Sequence, residues 1–452
     1  MRSTFKPASL FGFALGLATS LTACAPGDSI RGASSDTLVQ NEANRGNGAV
    51  SAADPRAQAA GEEILAKGGS ATDAAIAVMI ALTVVEPQSS GVGGGGFLVH
   101  ASEQGVTTFD GRETAPAAAT GTRFLDEKGD RLPRGQRVLS GLSVGVPGNI
   151  ALAAKAHAQY GKLEWAELFQ PAIRLARDGF QMNRRLNGSL SDNKDRASKS
   201  AEARAVVFEE QGEPLPIGAT ITNPDFARTL EALSSAGPRY LYFVMAERLA
   251  NYIATETPQD GRMTEADIDA YVAKLRDPVC GRYRTYKVCG MGPPSSGGVA
   301  VAQMLGQLER FDLAALGPDS ATFWHLFLES QRLAYADRGL YIGDADFVPV
   351  PVTGLVGPAY LAERSALISP DTALPQAKPG EPQGGQVAMA PGDRPFEQGT
   401  THFSVVDKDG NAVSYTSTIE GAFGSGLFFE GFYLNNELTD FSSRPESDGN
   451  PV

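Results

Sequence analysis

The chain has 452 residues, 42% hydrophobic and 20% charged, enough apolar material for a large buried core. A formal net charge of −13 excludes nonspecific nucleic-acid binding through a basic surface, although a local cation can still hold a small anionic group. Three cysteines and four dispersed histidines show no metal-site spacing.

The N-terminus predicts export. Arg2 and Lys6 form a short basic region, and Leu10 to Leu21 is apolar but too short for a stable membrane span. It ends in Leu21-Thr22-Ala23-Cys24, which resembles a bacterial lipoprotein box. Residues 1–23 then read as the signal peptide, with Cys24 lipidated. Ala25 follows, and the absence of Asp there favours the periplasmic side of the outer membrane. An ordinary cleaved signal, giving a periplasmic or secreted protein, is the alternative. Residues 24–47 are polar and aperiodic and read as a flexible tether.

Asp54-Pro55 predicts a helix start, with Asp as cap and Pro at the first helical position, and Gly68-Gly69 a stop. Ser70 and Asp73 open a second helix that is apolar on nearly every face and reads as a buried core helix ended by Pro87. Gly93 to Gly96 follow, allowing close backbone approach. They lack the Gly-Lys-Ser/Thr ending of a phosphate loop, so that reading is rejected. FLVH and GVTTFDGRE read as two short strands, with Arg112 ending the second. Residues 145–260 are mostly helical. GMGPPSSGGVAVAQMLGQL reads as a turn into a helix, so Ser295 and Ser296 belong to a helix start and not to a nucleophile elbow. His325, on an amphipathic helix, reads as a packed or hydrogen-bonded structural residue. Cys280 and Cys289 flank a segment able to turn back on itself, and both a disulfide and two buried thiols fit.

Residues 371–399 are rich in Pro, Gly and Gln and predict a long exposed loop. THFSVVD and AVSYTSTI then alternate like adjacent antiparallel strands around the turn DKDGN. Thr400 stands at the junction. As an internal residue it reads as a strand-start threonine. Freed by cleavage of the Gly399–Thr400 bond, it would carry a hydroxyl nucleophile and its own α-amine base. An α-amine with pKa near 8 leaves a usable neutral fraction at neutral pH.

Eight blocks occur in one order: GGSATDAAIA, PQSSGVGGGGF, SVGVPG, GKLEWAEL, MTEADIDAY, GMGPPSSGG, TTHFSVVDKDGNAVSYTSTIEG and LNNELTDFS. Together they resemble the γ-glutamyltranspeptidase (glutathione hydrolase) family of N-terminal-nucleophile hydrolases, from about Gly48 to Asp448. The resemblance implies a four-layer αββα fold. It also implies self-cleavage into a large subunit (residues 48–399) and a small subunit beginning at Thr400 (residues 400–452). The implied reaction cleaves γ-glutamyl amides such as glutathione through a γ-glutamyl-Thr400 ester, passed to water or to an amino-acid or peptide acceptor.

The same resemblance assigns roles to individual residues. Arg112 would bind the glutamyl α-carboxylate, and Asp440 and Glu437 the α-ammonium. Glu420 stands where many relatives have Asn and is expected near the same ammonium. Thr418 would orient Thr400 or tune its amine. His402 is not expected to be the base and reads as a strand residue satisfied by packing or solvent. The family pattern continues past LNNELTDFS with a lid segment, a Ser-Ser pair and a Gly-Gly oxyanion hole that no residue here matches, so the fold is expected to be C-terminally incomplete. Two rivals remain: a β-lactam (cephalosporin-type) acylase on the same scaffold, and a catalytically inactive truncated lipoprotein.

Overall fold

Asp54 starts the first helix as its side chain dictates. Its carboxylate accepts from the Arg56 N–H, and Pro55 fills the position where no N–H is needed. The computed structural model describes residues 46, 48–259, 261–385, 399–447 and 450–451. The expected signal peptide, Cys24 and nearly all of the tether lie outside these residues, as does most of the second half of the loop before Thr400.

The helices that position the site are α1 (Pro55–Ala66), α2 (Ala71–Val85), α3 (Asn149–Tyr160), α4 (Trp165–Asp178), α5 (Gly297–Leu308), α6 (Ala321–Tyr341) and α7 (Pro358–Ala366). The strands are β1 (Gly48–Ser51), β2 (Gly95–Ser102), β3 (Gly105–Gly111), β4 (Lys274–Arg276), β5 (Val279–Tyr283), β6 (Tyr286–Gly290), β7 (Thr400–Asp407) and β8 (Ala412–Thr418). Six of them form one antiparallel sheet in the order β1-β7-β8-β2-β3-β4. The strands come from both ends of the described sequence, so the sheet forms only when chain-distant segments meet.

A capping box opens α2. Ser70 Oγ accepts from the Asp73 N–H at 3.1 Å, and Asp73 Oδ2 accepts from the Ser70 N–H at 2.9 Å. Every residue of α2 is buried. Its partners are α1, α3, α4, β7 and β8, so it is the central helix of the core, as its all-round apolar sequence predicts. Along β7 the alternation is strict. Thr401, Phe403, Val405 and Asp407 point into the helix layer, and Thr400, His402, Ser404 and Val406 point to the opposite face.

That opposite face looks toward a second β layer. The hairpin β5–β6 pairs separately from the six-stranded sheet and packs on α5, which in turn packs on α6 and α7. The sequence of layers is therefore helix, sheet, hairpin, helix. This is a mixed α/β sandwich whose second β layer, among the described residues, is two-stranded. Cys280 and Cys289 are register partners in the hairpin and are disulfide-bonded. An isolated two-stranded hairpin is marginal in water, and the cross-link holds its strands together.

Asp407 ties the β7–β8 turn to the core. Its Oδ1 accepts from the Asp409 and Asn411 N–H groups, each at 3.0 Å, and its Oδ2 accepts from the Ala71 N–H at 3.1 Å. The side chain is buried. Asp407→Ala strips these donors of their acceptor and is expected to cost about 2–4 kcal/mol. Chemical denaturation checks this, and a loss below about 0.5 kcal/mol would refute the role.

Candidate active site

Register places the site. Thr400 is paired with Thr418 across β7 and β8, and Thr418 is paired with Gly95 on β2. Gly96 faces Gly111, one residue before Arg112. One row across the end of the sheet thus carries Thr400, Thr418, the glycine run and Arg112. The glycines let this row close on itself. A Cβ on Gly94 would lie 2.0 Å from the Thr418 carbonyl oxygen, and one on Gly95 would lie 2.2 Å from Glu113 Oε2. The expected close approach is therefore to the protein's own backbone and to a site carboxylate.

Thr418 Oγ1 is the hub. It lies 3.0 Å from Thr400 Oγ1, donates to the Gly399 carbonyl at 3.1 Å, and accepts from the Glu420 N–H at 2.8 Å. A hydroxyl has one proton to give. With that proton on the Gly399 carbonyl, the Thr400 hydroxyl donates to Thr418. One oxygen thereby orients the Thr400 hydroxyl and polarises the carbonyl of the Gly399–Thr400 bond. Gly399 has φ 116°, a conformation that favours glycine, and a Cβ there would meet the Ala422 nitrogen at 2.8 Å.

Arg112 is fixed from several sides. Its N–H donates to Asp110 Oδ1 at 2.8 Å, and its carbonyl accepts from the Tyr271 hydroxyl at 2.8 Å. The guanidinium lies over the Phe97 ring at 4.8 Å. Its Nη1 is 2.5 Å from Glu437 Oε1 and 3.4 Å from Glu113 Oε2. Burial alone would weaken its proton affinity, but Glu437, Glu113 and Asp440 outweigh that and raise its pKa.

Burial pushes the Glu437 carboxyl up to about 8 against the pull of Arg112, and the Glu113 carboxyl up to about 7. Both stand above the ordinary 4.5, so between about 4.5 and about 8 these two groups hold more protons in the folded protein than in the unfolded chain. Their contribution to stability therefore falls as pH rises through that window, while His100 and His402, whose pKa burial lowers, oppose it. Tm is expected to drop from pH 5 to pH 8.5, and Glu437→Gln to flatten the drop. An unchanged slope would contradict the assignment.

Asn435 holds the Glu437 turn in place. Its buried amide donates to the Gly93 and Gly145 carbonyls at 2.8 and 2.9 Å and accepts from the Gly145 and Glu437 N–H groups at 2.9 and 3.1 Å. Asn436 supports the other side. Its Oδ1 accepts from the Gly421 N–H at 2.9 Å, and its Nδ2 donates to the Glu420 carboxylate. Glu420 thus departs from its expected place. It has φ 68°, its carboxylate is bonded to Asn436, and it does not line the cavity.

The cavity, about 1090 Å³, opens between the sheet and the hairpin layer. Thr400, Thr418, Arg112, Glu437 and Asp440 all line it. Four of the five residues expected to bind substrate or act on it beyond Thr400 itself are thus in one chamber, and Glu420 is behind it. Glu113, Phe97, Asn435 and Asn436 complete the site without having been expected. Asn435 and Asn436 stood in a quoted block, but nothing local marked them as braces. His325 Nε2 lies 2.9 Å from the Ser369 carbonyl, a structural contact. Ser295 Oγ accepts from the Gly297 N–H at 3.3 Å at the start of α5. Among the described residues no group of three or more His, Cys, Asp or Glu side chains could hold a metal ion, and no helix is long and apolar enough to cross a membrane.

Residues 57–452 match the gamma-glutamyltranspeptidase family profile, most of the chain. The chain belongs to the gamma-glutamyltranspeptidase family. It is 40% identical over 412 residues to the glutathione hydrolase proenzyme of Bacillus subtilis (strain 168), covering 88% of this chain and 69% of that protein. Among solved structures it is similar to Helicobacter pylori gamma-glutamyltranspeptidase (TM-score 0.68, 36% identity, 73% of this chain and 94% of that one). It is also similar to the cephalosporin acylase from Bacillus halodurans (TM-score 0.76, 26% identity, 89% and 71%). The fold is therefore the N-terminal-nucleophile hydrolase sandwich. The family member described here is an enzyme of the transpeptidase/acylase kind, acting on amide-linked substrates.

Proposed function

We propose that the protein cleaves itself between Gly399 and Thr400 and then acts as a γ-glutamyl hydrolase and transferase on glutathione and related γ-glutamyl compounds. Thr400 Oγ attacks the γ-amide carbonyl, its α-amine takes the hydroxyl proton, and the departing amine leaves a γ-glutamyl ester on Thr400. Water or an acceptor amine then attacks the ester and restores the hydroxyl. Residues 48–399 would form the large subunit, and the segment from Thr400 would open the small one. Lipid attachment at Cys24 on the periplasmic side of the outer membrane remains part of this proposal.

The observation that carries the substrate reading is the charge arrangement in the cavity. Around Arg112 itself stand three acids, Glu437, Glu113 and Asp440, in the chamber that holds Thr400 and that Arg123, Arg338 and Arg444 also line. A γ-glutamyl end is a zwitterion. Its α-carboxylate suits the planar fork of Arg112, and its α-ammonium suits the acids around it, whose ionised forms a bound cation would favour. The Bacillus halodurans neighbour favours a cephalosporin acylase as the second reading. A glutaryl chain, however, lacks the ammonium that those acids would hold. Rates on γ-glutamyl and glutaryl anilides sharing one leaving group separate the two. Faster γ-glutamyl turnover supports the proposal, and faster glutaryl turnover reverses it.

A further inference from the structure

Arg112 is held from the edge of the sheet as well as from the cavity. Asp110, near the end of β3, projects on the face that carries Thr400, since its register partner Phe97 lines the cavity. Its buried carboxylate is used twice. Oδ1 accepts from the Arg112 N–H at 2.8 Å, and Oδ2 accepts from Arg276 Nε at 3.0 Å. The first bond is the turn by which an Asp side chain fixes the backbone two residues on. The second comes from the edge strand β4, where Lys274 is the register partner of Asp110 and Arg276 that of Thr108.

Arg276 also reaches Asp346. Its Nη1 and Nη2 donate to the two Asp346 carboxylate oxygens at 2.6 and 2.7 Å, and Lys274 Nζ donates to Oδ2 at 2.5 Å. Arg276 and Lys274 hold the Asp346 carboxyl well below the usual range, so the pair stays ionised at neutral pH. Asp346 lies in the segment 342–348 that follows α6. Ile342, Gly343, Asp344, Phe347 and Val348 of this segment line the cavity. One guanidinium, 16% exposed, thus joins a carboxylate that fixes the chain at Arg112 to a carboxylate on another wall of the chamber.

We infer that Arg276 is a positioning residue for the substrate carboxylate. Acting through Asp110, it fixes the backbone from which the Arg112 guanidinium extends. Through Asp346 it sets the 342–348 wall against the same edge of the sheet. Arg276 does not line the cavity, so its effect passes through these two carboxylates. The inference rests on Arg112 being the group that grips the carboxylate of the bound acyl end. Without Arg276, Asp110 Oδ2 loses its donor in a buried place, and the turn that places Arg112 loosens. A misplacement of about 1 Å can cost about 100-fold. Arg112 keeps its contacts with Tyr271, Phe97 and Glu437, so a smaller loss is expected.

Two p-nitroanilides that differ by one carboxylate test this on the full chain. One is γ-glutamyl. The other is γ-aminobutyryl, the same acyl chain and ammonium without the α-carboxylate. Arg276→Gln is expected to lower kcat/KM on the first by about tenfold, chiefly through a higher KM, and on the second by less than about twofold. Equal losses on both, or loss on neither, would overturn the inference, because general damage to the fold does not depend on the substrate carboxylate. If Arg276→Gln fails to fold, Asp346→Asn, at the more exposed end of the pair, carries the same comparison and should show the same bias to a smaller degree. If the wild type takes only glutaryl donors, the γ-glutamyl reading fails, and glutaryl against butyryl anilides, again one carboxylate apart, test Arg276. A wild type that turns over none of the four overturns both.

Discussion

Thr400→Ala is expected to leave the chain in one piece and to remove turnover, by at least about 10³-fold. The reason is that one side chain serves two steps. In the proposed mechanism the hydroxyl that attacks the substrate also attacks the Gly399 carbonyl, and only cleavage releases the α-amine that serves as base. Thr418 donates to that carbonyl and accepts from that hydroxyl, so the two reactants are prepared by one oxygen. Thr400→Ser keeps the hydroxyl and should still cleave, more slowly because the methyl that restricts rotation about χ1 is gone. Thr418→Val keeps shape and removes both hydrogen bonds, so it should slow cleavage while leaving Thr400 in place. Intact mass against time orders the three. Turnover by Thr400→Ala would end the account.

The second large effect concerns Arg112. Arg112→Lys retains the charge but loses the fork, the stacking over Phe97 and the simultaneous reach to Glu437 and Glu113. It is expected to reduce kcat/KM on a γ-glutamyl donor by about 10²-fold, about 3 kcal/mol of transition-state stabilisation. Arg112→Gln should cost more, because it removes the positive charge as well as the fork that would face the substrate carboxylate. With the guanidinium gone, the Glu437 carboxyl should also titrate higher still, since Arg112 is what lowers it. A kcat/KM within about threefold of wild type for Arg112→Lys would show that the site does not grip a carboxylate through the fork.

Local signals carried much of the fold. The caps at Asp54 and Ser70, the all-apolar α2 and the alternation of β7 and β8 are each decided within a few residues, and the structure reproduces them. The resemblance supplied Arg112, Thr418, Glu437 and Asp440, and the structure brings all four into the chamber of Thr400. What the sequence could not show depends on contact between distant segments. Glu113 looks like any acid after Arg112 until Gly95 is seen to leave room for its carboxylate. Asn435 becomes a brace only when the Gly93 and Gly145 loops meet it. His402 is a strand residue, as read, but its partners, the Thr416 and Ser414 hydroxyls, lie across a turn on β8 and were not legible locally. Glu420 was placed with the ligand by position in a motif, but its left-handed backbone turns the carboxylate to Asn436 instead. The expected four layers appear in order, and among the described residues the second β layer has two strands.

The central claim is that Thr400 becomes an N-terminus. Intact mass of the purified chain, with N-terminal sequencing of any small fragment, tests it most directly. Two fragments divided between Gly399 and Thr400, absent in Thr400→Ala, are the predicted result. A single uncleaved chain that still hydrolyses a γ-glutamyl anilide would contradict the claim, because activity would then require neither the free amine nor the cut.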